Sequence, residues 1–371
     1  MLRKTFLLLV LLAALVPGVH AVAAQEKKQK RYLYVAAPGI RNYLEHGGAG
    51  ILVFDIDDNH KFVKRIKTPA SAEAKPLNIK GICGNALTKR LYFTTLTKLY
   101  CVDLLTEKTL WEKALPDGCD RMSITPDGKF VYVPTLEKNH WHVVDGKTGE
   151  LVTSIETKNG AHNTVASLDG TRMYLAGLKS PLLPVADTAT HKIVQNVGPF
   201  SHGIRPFTVN ADRSLVFVNV NDLLGFEIGD LKTGKKLHRI EVEGFPKGKP
   251  KRHGCPSHGI GLTPDEKEIW ICDGANSHVH IFDATVMPPK QTASVKVREQ
   301  PGWITFSRDG RYAWPSTGDV IDVKTKKIVC TLTDEEGREV HSEKVMEIIW
   351  VDGELVWVGD QFGLGRKGKT N

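Results

Sequence analysis

The chain has 371 residues, 41% of them hydrophobic and 25% charged, with 34 glycines and 19 prolines to supply turns. That balance excludes a disordered chain, a collagen-like fibre and a polytopic membrane protein. The formal net charge of +8 is 50 basic minus 42 acidic residues; it is dispersed rather than gathered in blocks, and gives no support to nucleic-acid binding.

The first element is a leader. Arg3 and Lys4 precede an apolar run from Phe6 to Val16, and the small residues Ala21, Val22, Ala23 and Ala24 follow. A basic start, an apolar middle and a small-residue end are the marks of a secretory signal peptide. The apolar run is shorter than the roughly twenty residues a membrane-spanning helix needs. We read residues 1–24 as a signal peptide cut after Ala23 or Ala24, and residues 25–371 as one domain. No second long apolar stretch occurs, so the mature chain is expected to have no transmembrane segment and to be periplasmic or secreted.

Three strand-like runs come next, "RYLYVAA" from Arg31, "GILVFDI" from Gly50 and "FVKRIKT" from Phe62, with an insertion at residues 41–50 that carries Glu45 and His46. A unit then recurs. A weak copy starts at Asn85, and fuller ones are "MSITPDGKFVYVP" from Met122, "TVASLDGTRMYLAG" from Thr164 and "FTVNADRSLVFVNV" from Phe207. "IGLTPDEKEIWICD" from Ile260, "ITFSRDGRYAWPS" from Ile304 and "MEIIWVDGELVWVGD" from Met346 complete the series. Their turn acids Asp127, Asp169, Asp212, Asp265, Asp309 and Asp352 lie about 42 to 53 residues apart. An Asp-Gly-like pair between alternating runs reverses a strand, because Gly and Asp tolerate the positive φ that tight turns require.

Most units add two further strands, as in "HWHVVDGKTGELVTSI" from His140 and "LLGFEIGDLKTGKKLHRI" from Leu223. Four strands per unit at this period predict an all-β fold, a β-propeller of four-stranded antiparallel blades. Units begin near Gly81, Cys119, Ala161, Ile204, Ser257 and Pro301. The N-terminal strands lack an innermost partner that "EKVMEIIW" near the C-terminus would supply, which closes a seven-bladed ring without free edges. The trailing "ELVWVGDQFG" is one strand more than this needs, and leaves eight blades as an alternative.

With "ITPDGKFVYVP", "ASLDGTRMYLAG" and "FSRDGRYAWPS", each followed by text like "VVDGKTGE" or "VIDVKTKK", the chain resembles the YVTN-repeat β-propeller family. That family is related to WD-repeat-like and quinoprotein amine dehydrogenase β-chain-like propellers. The resemblance covers nearly all of the mature chain and implies a cofactor-carrying or accessory binding protein. It specifies fold far better than function.

In a propeller the loops leading into the innermost strands gather on one face of the central channel. Counting back seven residues from each turn acid aligns Asp120, His162, Arg205, His258, Gly302 and Val345, with Ile82 in the weak copy. Close neighbours add Arg121, Asn163, His202, Gln300, Trp303, Glu343 and Lys344. Ionisable groups set side by side around a narrow axis form a candidate ligand site. Three readings stay open: a pocket for an anionic or carbonyl-rich small ligand, a divalent metal on His162, His202, His258 and Glu343, and a merely solvated channel.

For function, the leading expectation is an extracytoplasmic binding module for a small molecule or a protein partner. The alternative is a propeller lactonase or lyase with His162 or His258 as general base and Arg205 holding a carboxylate or oxyanion. Cys-x-x-Cys-His is absent from the sequence, so no covalent haem is expected. Cys83, Cys101, Cys119, Cys255, Cys272 and Cys330 could pair in an oxidising compartment, although Cys101, Cys272 and Cys330 lie in apolar runs and read as buried thiols. The pairs His140/His142 and His278/His280 each share a strand face and read as solvent-facing. The basic segment Lys247 to Gly259 interrupts the repeat and runs into His258, where it would clamp an acidic ligand or lie solvated. Trp303, near a channel mouth, reads as a lid or stacking residue, the other strand tryptophans as core.

Overall fold

The computed structural model describes residues 28–250 and 252–361; the proposed signal peptide lies outside them. The described residues form seven antiparallel sheets, which we number as blades I to VI in chain order and blade VII for the closing one. The innermost strands of blades I to VI are Gly81–Asn85, Ser123–Ile124, Ala161–Ala166, Ile204–Val209, Ser257–Leu262 and Ile304–Phe306. Four of these begin where the repeat placed them.

The blade has a physical gradient from axis to rim. Inner strands such as Ala161–Ala166 and Ser257–Leu262 are buried at every residue, so they take small or polar-satisfied side chains in place of simple alternation. Rim strands such as Lys192–Val197 alternate between exposed and half-buried residues, as one covered face requires. Between the third and fourth strands all seven blades shift register by one residue, as at Val143/Val144, Val185/Ala186 and Ile281/Phe282. Such bulges increase twist, and here each lies one or two residues before the Asp that ends the third strand.

Two side-chain turns recur with the blades. In the first, Thr125, Ser167, Thr263 and Ser307 donate their hydroxyls to Asp127, Asp169, Asp265 and Asp309 at 2.6–2.8 Å. Gly128 and Gly170 follow with φ of 73°, where a side chain would be strained. In the second, Asp145 accepts from the backbone N–H of Lys147 and Thr148 and from the Thr148 hydroxyl. Asp103, Asp187 and Asp322 each accept from a threonine three residues on in the same way. These are Asx turns, and their Asp-x-x-Thr spacing explains the repeated Lys-Thr-Gly text.

Closure is as expected. Gln29–Ala37 pairs antiparallel with Val345–Val351 over seven residues, from Gln29↔Val351 to Val35↔Val345, and Gly50–Asp55 and Lys61–Ile66 complete blade VII. The trailing run does not begin an eighth blade. Glu354–Val358 adds to the axial edge of Val345–Val351 as a fifth strand, because the tight turn at Asp352 and Gly353 folds it straight back.

The core lies between neighbouring blades. Trp141, Trp270 and Trp314 are fully buried; Trp141 of blade II also donates its Nε1–H to Thr164 of blade III at 2.7 Å. Burying a side chain of this size is worth roughly 4–6 kcal/mol of transfer free energy. All six cysteines are free thiols, five buried and Cys330 half-buried. The expectation of solvent-facing histidines is corrected. His142 and His280 are buried, bonding Ser154 and Pro116 O in one case and Ser294 and Asp273 in the other. Third strands are covered on both faces by adjacent blades, so only the outer pair members His140 and His278 keep partial exposure.

Candidate binding site in the central channel

The starts of the inner strands bring charged side chains from several blades into one buried chain of hydrogen bonds. His162 Nδ1 lies 2.6 Å from Asp120 Oδ2, and Arg121 Nη1 lies 3.2 Å from His162 Nε2. A guanidinium can only donate, so His162 Nε2 accepts and its proton sits on Nδ1, facing the Asp120 carboxylate. Arg121 Nη2 donates to Glu343 Oε2 at 2.5 Å, and Lys344 Nζ donates to the same oxygen and to Gly39 O, both at 2.9 Å. Lys80 Nζ stands 3.4 Å from Asp120 Oδ1. Blades I, II, III and VII thus contribute to one network.

Burial and neighbouring charge act in opposition on the protonation states. It would raise the Asp120 pKa by itself, but His162, Lys80 and Arg121 outweigh it and hold this carboxylate well below its usual range. Glu343 is likewise held ionised against burial by Lys344 and Arg121. Lys344 is pushed down to about 7 by desolvation, with Glu343 opposing. A buried network of this kind is costly unless each charge is paired, and here the carboxylates are.

The basic insertion closes over this ring. His253 stacks on His258 with ring centroids 4.3 Å apart, and its side chain is only 8% exposed. Arg252 donates its N–H to Gln300 Oε1 at 2.9 Å, while Arg41 donates to Arg252 O at 3.0 Å. The insertions at residues 41–50 and 247–259 therefore meet over the channel. On the other side Gln361, fully buried, accepts at its carbonyl from Trp303 Nε1–H and Thr305, and at Oε1 from the Ile82 N–H. The end of the fifth strand thereby ties blade VI to blade I.

The eleven predicted ring residues divide into groups. Asp120, Arg121, His162, Glu343 and Lys344 are linked directly. Asn163 pairs its backbone with Arg121, Trp303 lies beneath the Arg121 guanidinium at 5.0 Å, and His258 joins through His253 and Glu343. Gln300 and Arg205 hold loops instead: Gln300 carries the insertion, and Arg205 Nε donates to Asn221 at 2.5 Å. His202 is exposed and bonds Asn221 and the Gly203 N–H. As a metal set, His162, His202, His258 and Glu343 do not come together, because His202 is outside and both His162 nitrogens are engaged. Trp303 is a buried support, not a lid.

Sequence reasoning missed three participants: Lys80, His253 and Gln361. His253 had a usable signal, a histidine five residues before His258 within the insertion. Lys80 had one too, standing two residues before Ile82 as Glu343 stands before Val345; Gln361 had none, since it reaches the ring through packing that no repeat position marks.

Several buried polar atoms here have no hydrogen-bond partner among the described residues: Arg121 Nε, both amide atoms of Asn163, Asn219 Oδ1, His253 Nε2 and Gln361 Nε2. Asn219 is tied to the ring by its amide, which donates to His258 O at 2.8 Å. Unsatisfied groups at this depth cost about 1–3 kcal/mol each, so a concentration of them marks where another molecule's polar atoms would be welcome.

Hydrazine synthase of Kuenenia stuttgartiensis is similar in structure, with a TM-score of 0.58 and 16% identity over 77% of this chain and 90% of that one. The β-propeller domain of Cps50 (Swd1) from Myceliophteria thermophila gives a TM-score of 0.58 and 11% identity over 75% and 88%. At these identities the likeness is one of fold. No family model and no curated protein matches the chain. Among the described residues no helix is long and apolar enough to cross a membrane.

Proposed function

We propose that the protein is an exported β-propeller binding module, of the YVTN-repeat kind that its blade motifs resemble, whose ligand is a small anion bearing a carboxylate or similar oxyanion. The observation that carries this is the group of unpartnered buried polar atoms beside Arg121. Arg121, whose two Nη groups are held by His162 and Glu343, keeps its Nε–H as an unpartnered donor, Lys80 adds positive charge at the same ring, and the Asn163 amide offers a donor and an acceptor. Residues 1–24 read as a secretory signal, which makes the periplasm or the exterior the working compartment.

The lactonase or lyase reading is disfavoured for one of its two candidate bases, His162. A general base needs a free lone pair, and His162 spends its own on Arg121. Arg205, the intended oxyanion holder, is bonded to Asn221.

The test is a thermal-shift and calorimetric panel of small mono- and dicarboxylates and inorganic oxyanions on the metal-free protein. At one hundred times its Kd a ligand specific for the folded state stabilises by about 2.7 kcal/mol. Asn163→Ala, which breaks no ion pair, should weaken binding about tenfold or more while the ligand-free melting temperature stays nearly constant. A ligand whose affinity is the same in Asn163→Ala and Arg121→Ala as in the wild type would show that the ring is not its site.

A further inference from the structure

One corner of the ring differs chemically from the rest. His253, His258 and Glu343 each present one ligand atom, and these atoms lie within 4.8 Å of one another. One pair, His253 Nε2 and Glu343 Oε1, is separated by 3.4 Å. Two donors on one tetrahedral ion with bonds of about 2.0–2.1 Å stand roughly 3.3 Å apart. The pair already has that spacing.

The supporting contacts point the same way. His258 Nδ1 lies 2.7 Å from Gly302 O, so that nitrogen carries the proton and Nε2 holds the lone pair. A backbone carbonyl behind one ring nitrogen is the usual way a metal-binding imidazole is oriented. His253 Nε2 is buried with no hydrogen-bond partner among the described residues. Arg121 and Lys344 both take Glu343 Oε2, which leaves Oε1 to face the imidazoles. Gly302 completes the corner by lacking a side chain: a Cβ there would lie 2.1 Å from His253 Nε2 and 2.8 Å from Glu343 Oε1. Any other residue would fill the space that an ion needs.

From this geometry we infer that His253, His258 and Glu343 form a binding site for a divalent first-row transition ion of the zinc class, with at least one coordination position open toward the ring. Two neutral imidazoles and one carboxylate suit such an ion, and three protein ligands leave a position for water or an added ligand. A dication beside Arg121 and Lys344 calls for compensating negative charge, which an anionic ligand supplies. The inference thus deepens the anion-binding reading and rests on it for the occupant of the open position, while the ion itself needs only the three side chains.

The experiment is calorimetric titration of the metal-free mature chain, residues 25–371, with Zn²⁺ alone, and with Co²⁺ followed by its visible spectrum. One equivalent per chain and the intense visible bands of tetrahedral or five-coordinate cobalt are expected. His253→Ala and Glu343→Gln should each weaken the metal by more than the roughly 10–100-fold that loss of an outer-shell partner costs, and His202→Ala should leave it unchanged. His253 stands on an insertion outside the blades, so His253→Ala decides the matter even if Glu343→Gln does not fold. Substoichiometric zinc, or wild-type affinity in His253→Ala, overturns the inference. Anions that bind the metal-free protein while zinc does not would remove the metal and leave the binding module standing; zinc bound without any anion does the reverse.

Discussion

At the scale of single residues the interior histidines are the most informative. His60 is buried, and Trp314 donates its Nε1–H to His60 Nε2 at 3.0 Å. Burial, then the charge of Arg31, hold its pKa down to about 4. The unfolded chain takes up this proton near pH 6.5, so the stabilisation is fully present above that value and is lost as pH falls from 6.5 toward 4. The share of His60 is about 3 kcal/mol. His253 and His341 are lowered in the same direction, so the whole acid limb is steeper than His60 alone makes it. Glu347 acts oppositely: burial raises its pKa to about 7, and its favourable share fades as pH climbs from about 4.5 to 7. We expect His60→Gln to flatten the dependence of the urea midpoint on pH between 4 and 7, partly and not wholly. An unaltered slope would mean that His60 titrates normally in the folded protein.

At the scale of elements, the strand Glu354–Val358 stands out because among the described residues every other blade has four strands. Its Leu355 is buried against the seam of blades VII and I, and Gly359 N–H donates to Glu347 O at 2.7 Å. Val358 also packs against Gly84 of blade I. A chain ending at Gly353 loses that burial, the ladder bonds and the Gln361 contacts, a cost of about 2–4 kcal/mol. For a protein of this size the melting temperature should fall by roughly 3–6 °C, with the propeller still folded by circular dichroism. A melting temperature unchanged by the truncation would show the fifth strand to be an ornament of the ring rather than part of its closure.

For the molecule as a whole, radial packing converts sequence distance into proximity. Asp120, His162 and Glu343 come from three blades and meet through Arg121, and the two long insertions join above them. The charged groups of this ring are engaged with one another, and the unpartnered polar atoms are Arg121 Nε, the Asn163 amide, His253 Nε2 and the amide nitrogen of Gln361. Compartment also belongs to this scale. If the leader is processed as read, N-terminal sequencing of the protein recovered from the periplasm or medium will begin at Ala24 or Gln25; a cytoplasmic protein retaining Met1 would refute export.

The blades were legible from the order of residues alone. Asp-Gly turns, Asp-x-x-Thr turns and alternating runs are local features, each stabilised by contacts within a few residues, and they repeat often enough to be counted. It also placed most of the ring, because a shared offset from the turn acid becomes a shared height along the axis. What it could not contain was the partner of each side chain. That His162 is saturated by Asp120 and Arg121, that His202 turns outward, that His142 and His280 are covered, that His253 reaches Glu343, and that Arg121 meets Glu343 across 222 residues of chain were decided by packing between segments. Distances of that kind are set by how curved sheets close around an axis, and no local pattern encodes them.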